Sequence, residues 1–406
     1  MHFKTAMTSS SSTPRIAVVG AGPGGLLLAR VLHRAGLAVT VFERETNALA
    51  RPQGGTLDLH EDGGLLALRE AGLLKEFARI ARPEDQGNKL YNQHGHLLFD
   101  EQHSEDGGRP EVDRSALREM LLDAIPVSKV RWGQTVSGAE PLDDGRWRLL
   151  LDDGRRTSEP FDLVVGADGA GSKLRPLLSA YPLQYSGLTL LEFGIDDVDA
   201  QHPAVAALVG RGKMMVQGEG RALIAQRNGN AHIRAYAVFR VPADWAWRRF
   251  DLYRPERVQA QLLEEFAAFA PRIQALLHAS NGLYVPRPIH ALPVGHRWAH
   301  RRGLTLIGDA AHLMSPFGGE GVNAAMLDAA ILGRTLAHTV AAAGDWSAAV
   351  AQAENEMFER VIEAAAGSAD AAAEQLSHDG EALALEHLMQ HQAQRLQPAL
   401  PEATHA

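Results

Sequence analysis

The 406-residue sequence contains no cysteine. Disulfide bonds, thiolate metal sites, a cysteine nucleophile and a prosthetic group attached through sulfur are therefore all excluded. Basic residues are comparatively few, because 40 lysines and arginines stand against 49 aspartates and glutamates and give a net charge of −9. No nucleic-acid partner is expected, since such proteins carry a basic binding surface. The lack of cysteine also favours a cytoplasmic location.

Long apolar runs are missing as well. Even the alanine-rich segment 329–343 contains Arg334 and His338, so no run approaches the roughly 18 residues that a membrane-spanning helix requires. Residues 1–14 hold a serine and threonine tract without the apolar core of a signal peptide, and we predict a disordered tail. The hydrophobic content of 45% supports a large core. We expect a monomer that acts on a small molecule and needs no membrane.

The sequence contains three glycine-rich segments, each of which follows an apolar run. We call them the first, second and third glycine segments: Gly20-Ala21-Gly22-Pro23-Gly24-Gly25, Gly166-Ala167-Asp168-Gly169 and Gly308-Asp309-Ala310-Ala311-His312. Any one of them alone is weak evidence. Their order predicts that one long dinucleotide, FAD, is held noncovalently along its whole length.

The first glycine segment lies between a predicted strand at 15–19 and a predicted helix at 26–35. In the pattern Gly20-x-Gly22-x-x-Gly25, the first glycine permits a tight turn and the second lets the backbone approach a pyrophosphate. The third lets helix and strand pack closely, and the phosphate charge lies at the helix N-terminus. Glu43 ends the next strand, at about the 20-residue spacing where an acid accepts hydrogen bonds from ribose hydroxyls.

Polar residues of the second and third glycine segments stand at the ends of buried strands, where open parallel sheets bind ligands. Asp168 either binds the dinucleotide or caps the turn that follows. Asp309 either accepts a ribityl hydroxyl or caps a helix near residue 319, and the first role is favoured. The turn that includes Gly321 approaches the isoalloxazine ring, and Asn323 either serves that ring or caps its own helix.

The remaining pattern predicts an α/β fold with an FAD-binding Rossmann-like domain that contains an antiparallel β excursion. A mostly antiparallel β-sheet forms the substrate domain, and helices form the C-terminus. Turn sequences at 144–145 and 153–154 indicate a three-stranded excursion, and the alternation over 183–241 indicates the second sheet. One helix is expected from about 255 to 279. The predicted divisions are 15–76, 100–180 and 285–345 for the FAD-binding domain, 77–99 and 181–284 for the substrate domain, and 346–398 for the C-terminal helices.

Three motifs resemble, in this order, the single-component FAD-dependent monooxygenases of the para-hydroxybenzoate hydroxylase type. They are Gly54-Gly55-Thr56-Leu57-Asp58-Leu59-His60, Glu111-Val112-Asp113-Arg114-Ser115-Ala116-Leu117-Arg118, and the run from Ile307 through Asn323. Within that family they resemble the tetracycline-inactivating enzymes, and the resemblance covers 15–345. It implies that NADPH reduces FAD, that dioxygen forms a flavin C4a-hydroperoxide, and that one oxygen atom passes to an electron-rich phenol or enol carbon. The flavin carries this chemistry, so neither a catalytic side chain nor a metal is expected.

The resemblance also assigns roles to single residues. It places the cofactor-binding residues as follows: Glu43 and Arg44 at the adenosine ribose, Arg51 near the reduced nicotinamide, and Asp58, Arg114 and Asp309 on the flavin. Pro316, Phe317 and Gly319 are expected to border flavin and substrate. From the residues themselves, Arg51 and Arg114 are the two cations that we place near the cofactor.

The substrate sheet departs from the family at three aligned positions. Glu192, Lys213 and Arg234 stand where the tetracycline-inactivating enzymes have glutamine, arginine and histidine. A lysine lacks the bidentate fork of an arginine, and an arginine is a permanent cation where histidine can be neutral. Two cations suit an acidic enol or a carboxylate-bearing ring compound.

Three other functions remain open. A flavin halogenase requires a Gly-Trp-x-Trp-x-Ile-Pro element, of which only the spacing of Trp245 and Trp247 is present, and we interpret both tryptophans as packing residues. A flavin reductase or dehydrogenase without oxygen insertion is not distinguished by the sequence. A non-enzymatic flavin-binding module is disfavoured by the large second sheet. His312 is interpreted as structural, because no second histidine and aspartate accompany it.

Overall fold

The computed structural model describes residues 13–50, 54–101, 108–157 and 159–396. Arg51 and most of the predicted disordered tail lie outside the described residues. The strands are β1 (Arg15–Val19), β2 (Ala38–Phe42), β3 (Thr56–Asp58), β4 (Asn88–Asn92), β5 (Leu97–Asp100), β6 (Glu111–Asp113), β7 (Val130–Arg131), β8 (Val136–Pro141), β9 (Trp147–Leu151), β10 (Leu163–Gly166), β11 (Gln184–Ile195), β12 (Lys213–Gly218), β13 (Arg221–Arg227), β14 (Ile233–Arg240), β15 (Val285–Ala291) and β16 (Leu304–Leu306).

Helices separate these strands and dominate the C-terminal part of the chain. They are α1 (Pro23–Arg34), α2 (Gly64–Ala71), α3 (Leu74–Phe77), α4 (Arg114–Asp123), α5 (Val198–Gln201), α6 (Pro203–Val209), α7 (Trp245–Arg249), α8 (Pro255–Glu265), α9 (Pro271–His278), α10 (Asp309–His312), α11 (Gly321–Ala341), α12 (Trp346–Glu374) and α13 (Gly380–Leu396). Short 3-10 helices occur at Pro83–Asp85, Val127–Lys129, Arg175–Leu177 and Pro316–Gly318. Among the helices of the described residues, none combines the length and the apolar character that crossing a membrane would need.

The first sheet is parallel and has the strand order β16, β10, β1, β2, β7. Its strands are apolar on both faces because both faces are covered. Ile16 and Val18 of β1 pack on the side of α1, α2, α4 and α11. Ala17 and Val19 pack on the other side, against β9 and the middle of α12. The carboxyl ends of β1, β10 and β16 therefore carry the three glycine segments to one edge of this sheet.

The predicted antiparallel excursion lies between β7 and β10. Strands β8 and β9 pair, whereas the third segment joins β9 only through isolated bridges, Trp147 to Phe161 and Leu150 to Arg156. The excursion is therefore a two-stranded ribbon with an irregular third segment. Trp147 is buried and donates its indole N–H to the carbonyl of Arg302, which ties the ribbon to the turn before β16.

The second sheet has the order β15, β11, β14, β13, β12, β4, β5 and is antiparallel except where β12 runs parallel to β4. One face packs against α6, α8 and α9 through an apolar cluster that includes Phe193, Phe239 and Leu262. The opposite face carries Glu192, Arg234 and Tyr236, and we call it the cleft face. The predicted fold class is thus confirmed.

Two sequence predictions need correction. The helix expected from about 255 to 279 is two helices, α8 and α9, because the chain turns at Phe266 and restarts at Pro271, which begins α9. Strand β15 pairs with β11 in the second sheet, although the sequence predicts that the FAD-binding domain resumes at residue 285. The division of the chain into domains otherwise stays a prediction.

Helix α12 connects the two sheets. Met357 and Phe358 in its middle pack on the first sheet, and Ala372 near its end packs on the cleft face of the second. Arg240 of β14 donates to the carbonyls of Ala372, Ala373 and Gln375, at distances of 3.0, 3.1 and 2.6 Å. A cation at a helix C-terminus satisfies carbonyls that the helix itself cannot. Helix α12 is therefore in contact with both sheets.

Candidate active site

The first glycine segment has the geometry of a phosphate-binding turn. Gly20 has a φ of +108°, and a Cβ atom there would lie 2.3 Å from the carbonyl oxygen of Ala167. A Cβ at Gly25 would lie 2.1 Å from the carbonyl oxygen of Gly20, so both positions exclude a side chain. A Cβ at Gly22 would meet nothing within 4 Å. The second glycine of the motif is thus the one that faces open space, where a ligand has room.

Helix α1 begins at this open space. Gly22 is its N-cap and supplies no side chain, and Pro23 at the first helical position has no N–H to satisfy. Within the described part of the chain, the backbone N–H groups of Gly24 and Gly25 have no acceptor. Free N–H groups and the positive end of the helix dipole favour an anion at this position.

The carboxylate of Glu43 lies at the end of β2 and holds the glycine turn. It accepts hydrogen bonds from the N–H of Ala21 at 2.7 Å and from the N–H of Glu45 at 2.9 Å. Each oxygen keeps a further lone pair for a ribose hydroxyl. Arg44 is exposed at the strand end. The geometry is compatible with the predicted adenosine site, whose ligand contacts stay a prediction.

Two buried arginines, which the sequence analysis does not single out, fix the glycine segments. Arg118 donates to the carbonyl of Ala21 at 3.0 Å and to Glu45 at 2.8 Å. Arg175 donates to the carbonyl of Ala170 at 2.6 Å and to the carbonyls of Asp309 and Ala310 at 3.3 and 3.2 Å. Arg118 thus holds the first segment, and Arg175 joins the chain after the second segment to the third.

Asp168 and Asp309 differ in how far the protein satisfies them. One oxygen of Asp168 accepts from the N–H of Lys173 at 2.7 Å, which matches the capping alternative, whereas its Oδ1 is buried without a partner in the described residues. Asp309 begins α10, and its side chain caps neither α10 nor α11. Burial raises the pKa of Asp309, although the charges of His312, Arg114 and Arg175 oppose this. Polar ligand groups would satisfy both carboxyls.

Helix α11 provides a second N-terminus at the same edge of the sheet. A Cβ at Gly24 of α1 would lie 2.9 Å from the carbonyl oxygen of Ala325, so the first turns of α1 and α11 are in contact. The N-cap of α11, Glu320, makes no side-chain capping bond. A Cβ at Gly321 would lie 3.8 Å from Oδ1 of Asp309. The open Gly22, the unpartnered Asp168 oxygen and two helix N-termini together fit a long dinucleotide such as FAD.

A buried histidine lies beside this second N-terminus. Nε2 of His60 lies 3.0 Å from Oδ2 of Asp58, and its Nδ1 lies 3.5 Å from Oε2 of Glu320. Burial lowers the pKa of His60, but the bonds to Asp58 and Glu320 outweigh it and raise the pKa to about 9. Burial raises the pKa of Asp58, but His60 holds it below its usual range. Both groups are therefore charged at neutral pH.

Asn323 caps a helix other than its own. Its Oδ1 accepts from the N–H groups of His60 and Gly64, both at 2.9 Å, and its Nδ2 donates to the carbonyl of Asp58 at 3.0 Å. It therefore caps α2, which begins at Gly64, rather than its own helix α11. These bonds use both lone pairs of Oδ1 and one of the two N–H groups of Nδ2, so the side chain has a structural role, while its contact with the cofactor stays a prediction.

The turn at Pro316–Gly318 joins the third glycine segment to the cleft face. Phe317 packs on an apolar cluster of that face, and Gly319 has a φ of +73°. A Cβ at Gly319 would lie 3.8 Å from Oδ1 of Asp58. Phe317 thus contacts the second sheet, while Gly319 lies beside Asp58. The contacts of Pro316, Phe317 and Gly319 with flavin and substrate stay predictions.

Two of the three charged residues predicted for substrate binding, Glu192 and Arg234, are paired with each other. Arg234 bonds to one oxygen of Glu192, and Nε of Arg287 lies 3.1 Å from the other. Lys213 is separated from Arg234 by the strand β13, with Gln226 as the intervening partner. Glu192 neutralises part of the charge of Arg234 and Arg287, and the contacts of Glu192, Lys213 and Arg234 with a substrate stay predictions. The position of the strands brings Arg287, which the sequence does not predict, into this cluster.

Tyr236 and Arg114 lie between this cluster and the glycine segments. A Cβ at Gly55 would lie 3.2 Å from Cδ of Arg234 and 3.6 Å from the hydroxyl of Tyr236. A Cβ at Gly54 would lie 3.8 Å from Cδ of Arg114. Burial and Glu192 raise the pKa of Tyr236, so its hydroxyl is neutral. Arg114 is exposed and makes no ion pair within the described ranges.

Glu111 joins the β3–β6 ribbon to the second sheet. Its carboxyl lies 2.5 Å from the hydroxyl of Thr56 and accepts from Nε2 of Gln226 at 3.2 Å. Burial and the neighbouring charge of Asp58 raise its pKa to about 7. Glu111 belongs to one of the three family motifs, but its raised pKa depends on Asp58 across the ribbon, which only the strand pairing shows.

The remaining candidates are structural. Trp245 packs against Phe239 and Phe250 on the sheet face opposite the cleft, whereas Trp247 is 52% exposed, so only the first is the packing residue that we expect. His312 lies 2.6 Å from the buried Asp328, which also accepts from the N–H of Gly308 at 2.9 Å. Asp328 thus binds both ends of the third glycine segment, Gly308 and His312.

Comparison with known proteins gives a consistent family. The sequence model of the FAD binding domain family matches residues 13–366. The chain is 32% identical over 367 residues to monooxygenase penA of Penicillium thymicola, and the alignment covers 79% of this chain and 84% of that protein.

Two solved structures share the fold. The complex of Klebsiella pneumoniae HpxO with FAD and uric acid aligns with a TM-score of 0.73 at 22% identity and covers 94% of this chain and 93% of that one. Tetracycline destructase Tet(51) aligns with a TM-score of 0.66 at 21% identity and covers 96% of this chain and all of that one, 100%. At such identities these likenesses concern the fold alone.

Proposed function

The chain belongs to the FAD binding domain family and is an FAD-dependent monooxygenase, and from this premise we propose that it hydroxylates an electron-rich phenol or enol ring. The proposed substrates are tetracycline-like, polyketide or other aromatic compounds, and the proposed reductant is NADPH. The uric acid bound to HpxO and the tetracycline for which Tet(51) is named are both electron-rich ring compounds, which supports this class.

One observation carries the proposal: Gly54 and Gly55 separate Arg114, near Asp309, from Arg234 and Tyr236 of the cleft face. The charged cluster therefore lies next to Gly55, and Arg114, whose charge acts on Asp309, lies next to Gly54. A ring bound beside the charged cluster would lie near the residues that are proposed to hold the flavin.

FAD bound here and reduced by a nicotinamide nucleotide would activate dioxygen, of which one atom would enter the substrate and the other would leave as water. The chain's own residues have the remaining tasks. Glu43 and Arg44 are proposed to bind the adenosine ribose, and Asp168 is proposed to bind the dinucleotide. The flavin would be held by Asp58, Arg114 and Asp309, while Gly321 leaves room beside Asp309.

The cleft face would orient the substrate and keep water away. Leu190, Ile224 and Val238 are buried under Phe317 and Ala372, so the apolar part of this face packs against the protein itself and the charged part is left for a substrate. Tyr236 is a neutral hydroxyl that donates a hydrogen bond to a ring oxygen. Arg234 and Arg287 share one carboxylate, so the cluster keeps a net positive charge and favours an anionic enol or carboxylate. Lys213 adds positive charge two strands away.

The proposal is tested with the purified protein, FAD, NADPH and labelled dioxygen. Phenolic and polyketide compounds, tetracyclines included, are screened by mass spectrometry for the gain of one labelled oxygen atom. We expect at least one compound that stimulates NADPH oxidation and gains the label. Hydrogen peroxide as the sole product of every compound would refute hydroxylation and favour the reductase alternative. Halogen incorporation in the presence of halide would favour the halogenase alternative.

A further inference from the structure

His60 lies in a position that the proposed reaction does not yet use. Its imidazole is 6% exposed and lies between the carboxylates of Asp58 and Glu320, which are about one third exposed. Asp58 belongs to β3 and Glu320 to the cap of α11, so one ring joins two elements that meet at the predicted flavin. Arg109, ahead of β6, is the other charged group that acts on this ring.

The backbone around His60 is fixed without its side chain. Asn323 holds the N–H groups of His60 and Gly64 and binds the carbonyl of Asp58. Two carboxylates facing one buried ring would repel each other strongly if the ring were neutral. The imidazole therefore contributes charge and orientation, while the amide of Asn323 maintains the loop.

The carboxylate of Asp58 adjoins the turn at Gly319. Its Oδ1 and Oδ2 would lie 3.8 and 4.0 Å from a Cβ at Gly319, and Oδ2 also binds His60. A carboxylate anchored in this way has one oxygen free of His60 and a fixed direction. Its charge at the flavin edge depends on the partner behind it.

We propose that His60 is a positioning residue of the cofactor site: its imidazolium joins Asp58 to Glu320 and keeps Asp58 ionised and oriented toward the flavin. FAD affinity and the reduction potential of bound flavin then depend on the protonation of His60. The proposal uses the FAD site of the proposed function, but it does not depend on which substrate is hydroxylated.

The sign of the expected pH effect follows from the charge of the ring. With a pKa of about 9, His60 is protonated at neutral pH and loses its proton above that value. The two carboxylates then lose the imidazolium between them and keep only the charge of Arg109 nearby, so FAD binding weakens as the pH rises through that region. The potential of bound flavin becomes more negative at the same time, because a nearby positive charge favours the reduced, anionic flavin.

The experiment measures FAD affinity by flavin fluorescence from pH 6 to 10, without substrate. For the natural protein we expect a constant Kd up to about pH 8 and a rise of roughly tenfold by pH 10. His60→Gln keeps a polar side chain without the charge, and we expect a Kd roughly tenfold higher at pH 7 and no rise with pH. Glu320→Gln removes one carboxylate and should move the rise to lower pH.

His300→Gln is the matched control, because His300 also pairs with a carboxylate, Glu354 at 2.7 Å, but lies outside the cofactor site. This variant should keep the natural pH profile. Histidine labelled with ¹⁵N reports the protonation of His60 directly by NMR in the natural holoprotein, so the test does not depend on the folding of any variant. A neutral His60 at pH 7, or a His60→Gln protein with natural affinity and an unchanged pH profile, would overturn the proposal.

A failure of oxygen transfer to every compound would refute the proposed function and leave these FAD measurements unaffected. A flat pH profile with intact oxygen transfer would refute the role of His60 alone.

Discussion

The glycine segments and the cleft face use different parts of the chain for recognition. Around the glycine segments, the backbone forms the site, and arginine side chains serve to hold carbonyl groups in place, as Arg175 does. On the cleft face, side chains form the site and bind one another, as Glu192 binds Arg234 and Arg287. A backbone site tolerates little change in sequence, whereas a side-chain site can change its specificity by single substitutions. The comparison explains why one fold can combine a common cofactor with different substrates.

The largest loss of stability is expected at Gly20 of the first glycine segment, where the backbone leaves no room for a side chain. Gly20→Ala places a Cβ 2.3 Å from a carbonyl oxygen at a φ of +108°, and we expect a loss of at least about 3 kcal/mol of unfolding free energy. Gly22→Ala meets nothing within 4 Å, so the apoprotein should keep its stability while FAD binds roughly tenfold more weakly. Urea unfolding and FAD titration check both. Equal stability of the two variants would contradict the backbone description.

The next effect concerns the link between glycine segments. Arg175→Met removes the donor to three carbonyl groups, and we expect a loss of about 2–3 kcal/mol of unfolding free energy together with weaker FAD binding. Arg297→Met is the control, because Arg297 is exposed and its ion pair with Glu359 is long, at 3.4 Å, and it should change stability by less than about 0.5 kcal/mol. A stable Arg175→Met protein with natural FAD affinity would show that the segments hold their position without this link.

Glu111 lies at the boundary between the glycine segments and the cleft face. The pH dependence of the unfolding free energy tests how far it is buried there. Its pKa is about 7 in the folded protein, above the value near 4.3 of an unfolded chain. Folding therefore takes up a proton between these values, and the unfolding free energy contributed by this group falls as the pH rises from about 4.3 to about 7. Between pH 5 and pH 7, Glu111→Gln should gain about 2–3 kcal/mol relative to the natural protein. Thermal unfolding of both proteins at pH 5 and pH 8 measures the difference, and an equal pH response would place Glu111 in a solvated environment.

The smallest effect is expected on the cleft face. Glu192→Gln leaves Arg234 and Arg287 without their shared carboxylate, so their orientation changes while the glycine segments are untouched. We expect natural FAD content and a roughly tenfold lower kcat/KM for an identified substrate, or about 1.4 kcal/mol. Steady-state kinetics and the flavin spectrum separate the two quantities. A loss of FAD from this variant would show that the cleft face also contributes to FAD binding.

The backbone site is well predicted from the sequence because its requirements are local. The turn at Gly20, the open position at Gly22 and the acid at Glu43 all lie within one βαβ unit, where spacing alone defines geometry. Arg118 and Arg175 could not be found in this way. Their carbonyl partners lie up to 135 residues away along the chain, and no residue type at the partner position indicates a carbonyl acceptor.

The cleft face is harder to predict for a related reason. Alignment predicts that Glu192 and Arg234 face the substrate, but not their mutual ion pair, which depends on the register of β11, β14 and β15. The capping of α2 by Asn323 could not be predicted because its partners lie about 260 residues away, in the loop before α2. Side-chain sites assembled from distant strands carry little local pattern.

Helix α12 has a consequence for the biosynthesis of the protein. A chain growing on the ribosome contains β1 and the first two glycine segments long before it contains β16, the third glycine segment or the end of α12. The carbonyls that Arg240 binds belong to residues 372, 373 and 375. The two layers can therefore be joined through α12 only once the chain extends past residue 375, so we expect cofactor capture late in folding and no FAD in a product truncated before β16.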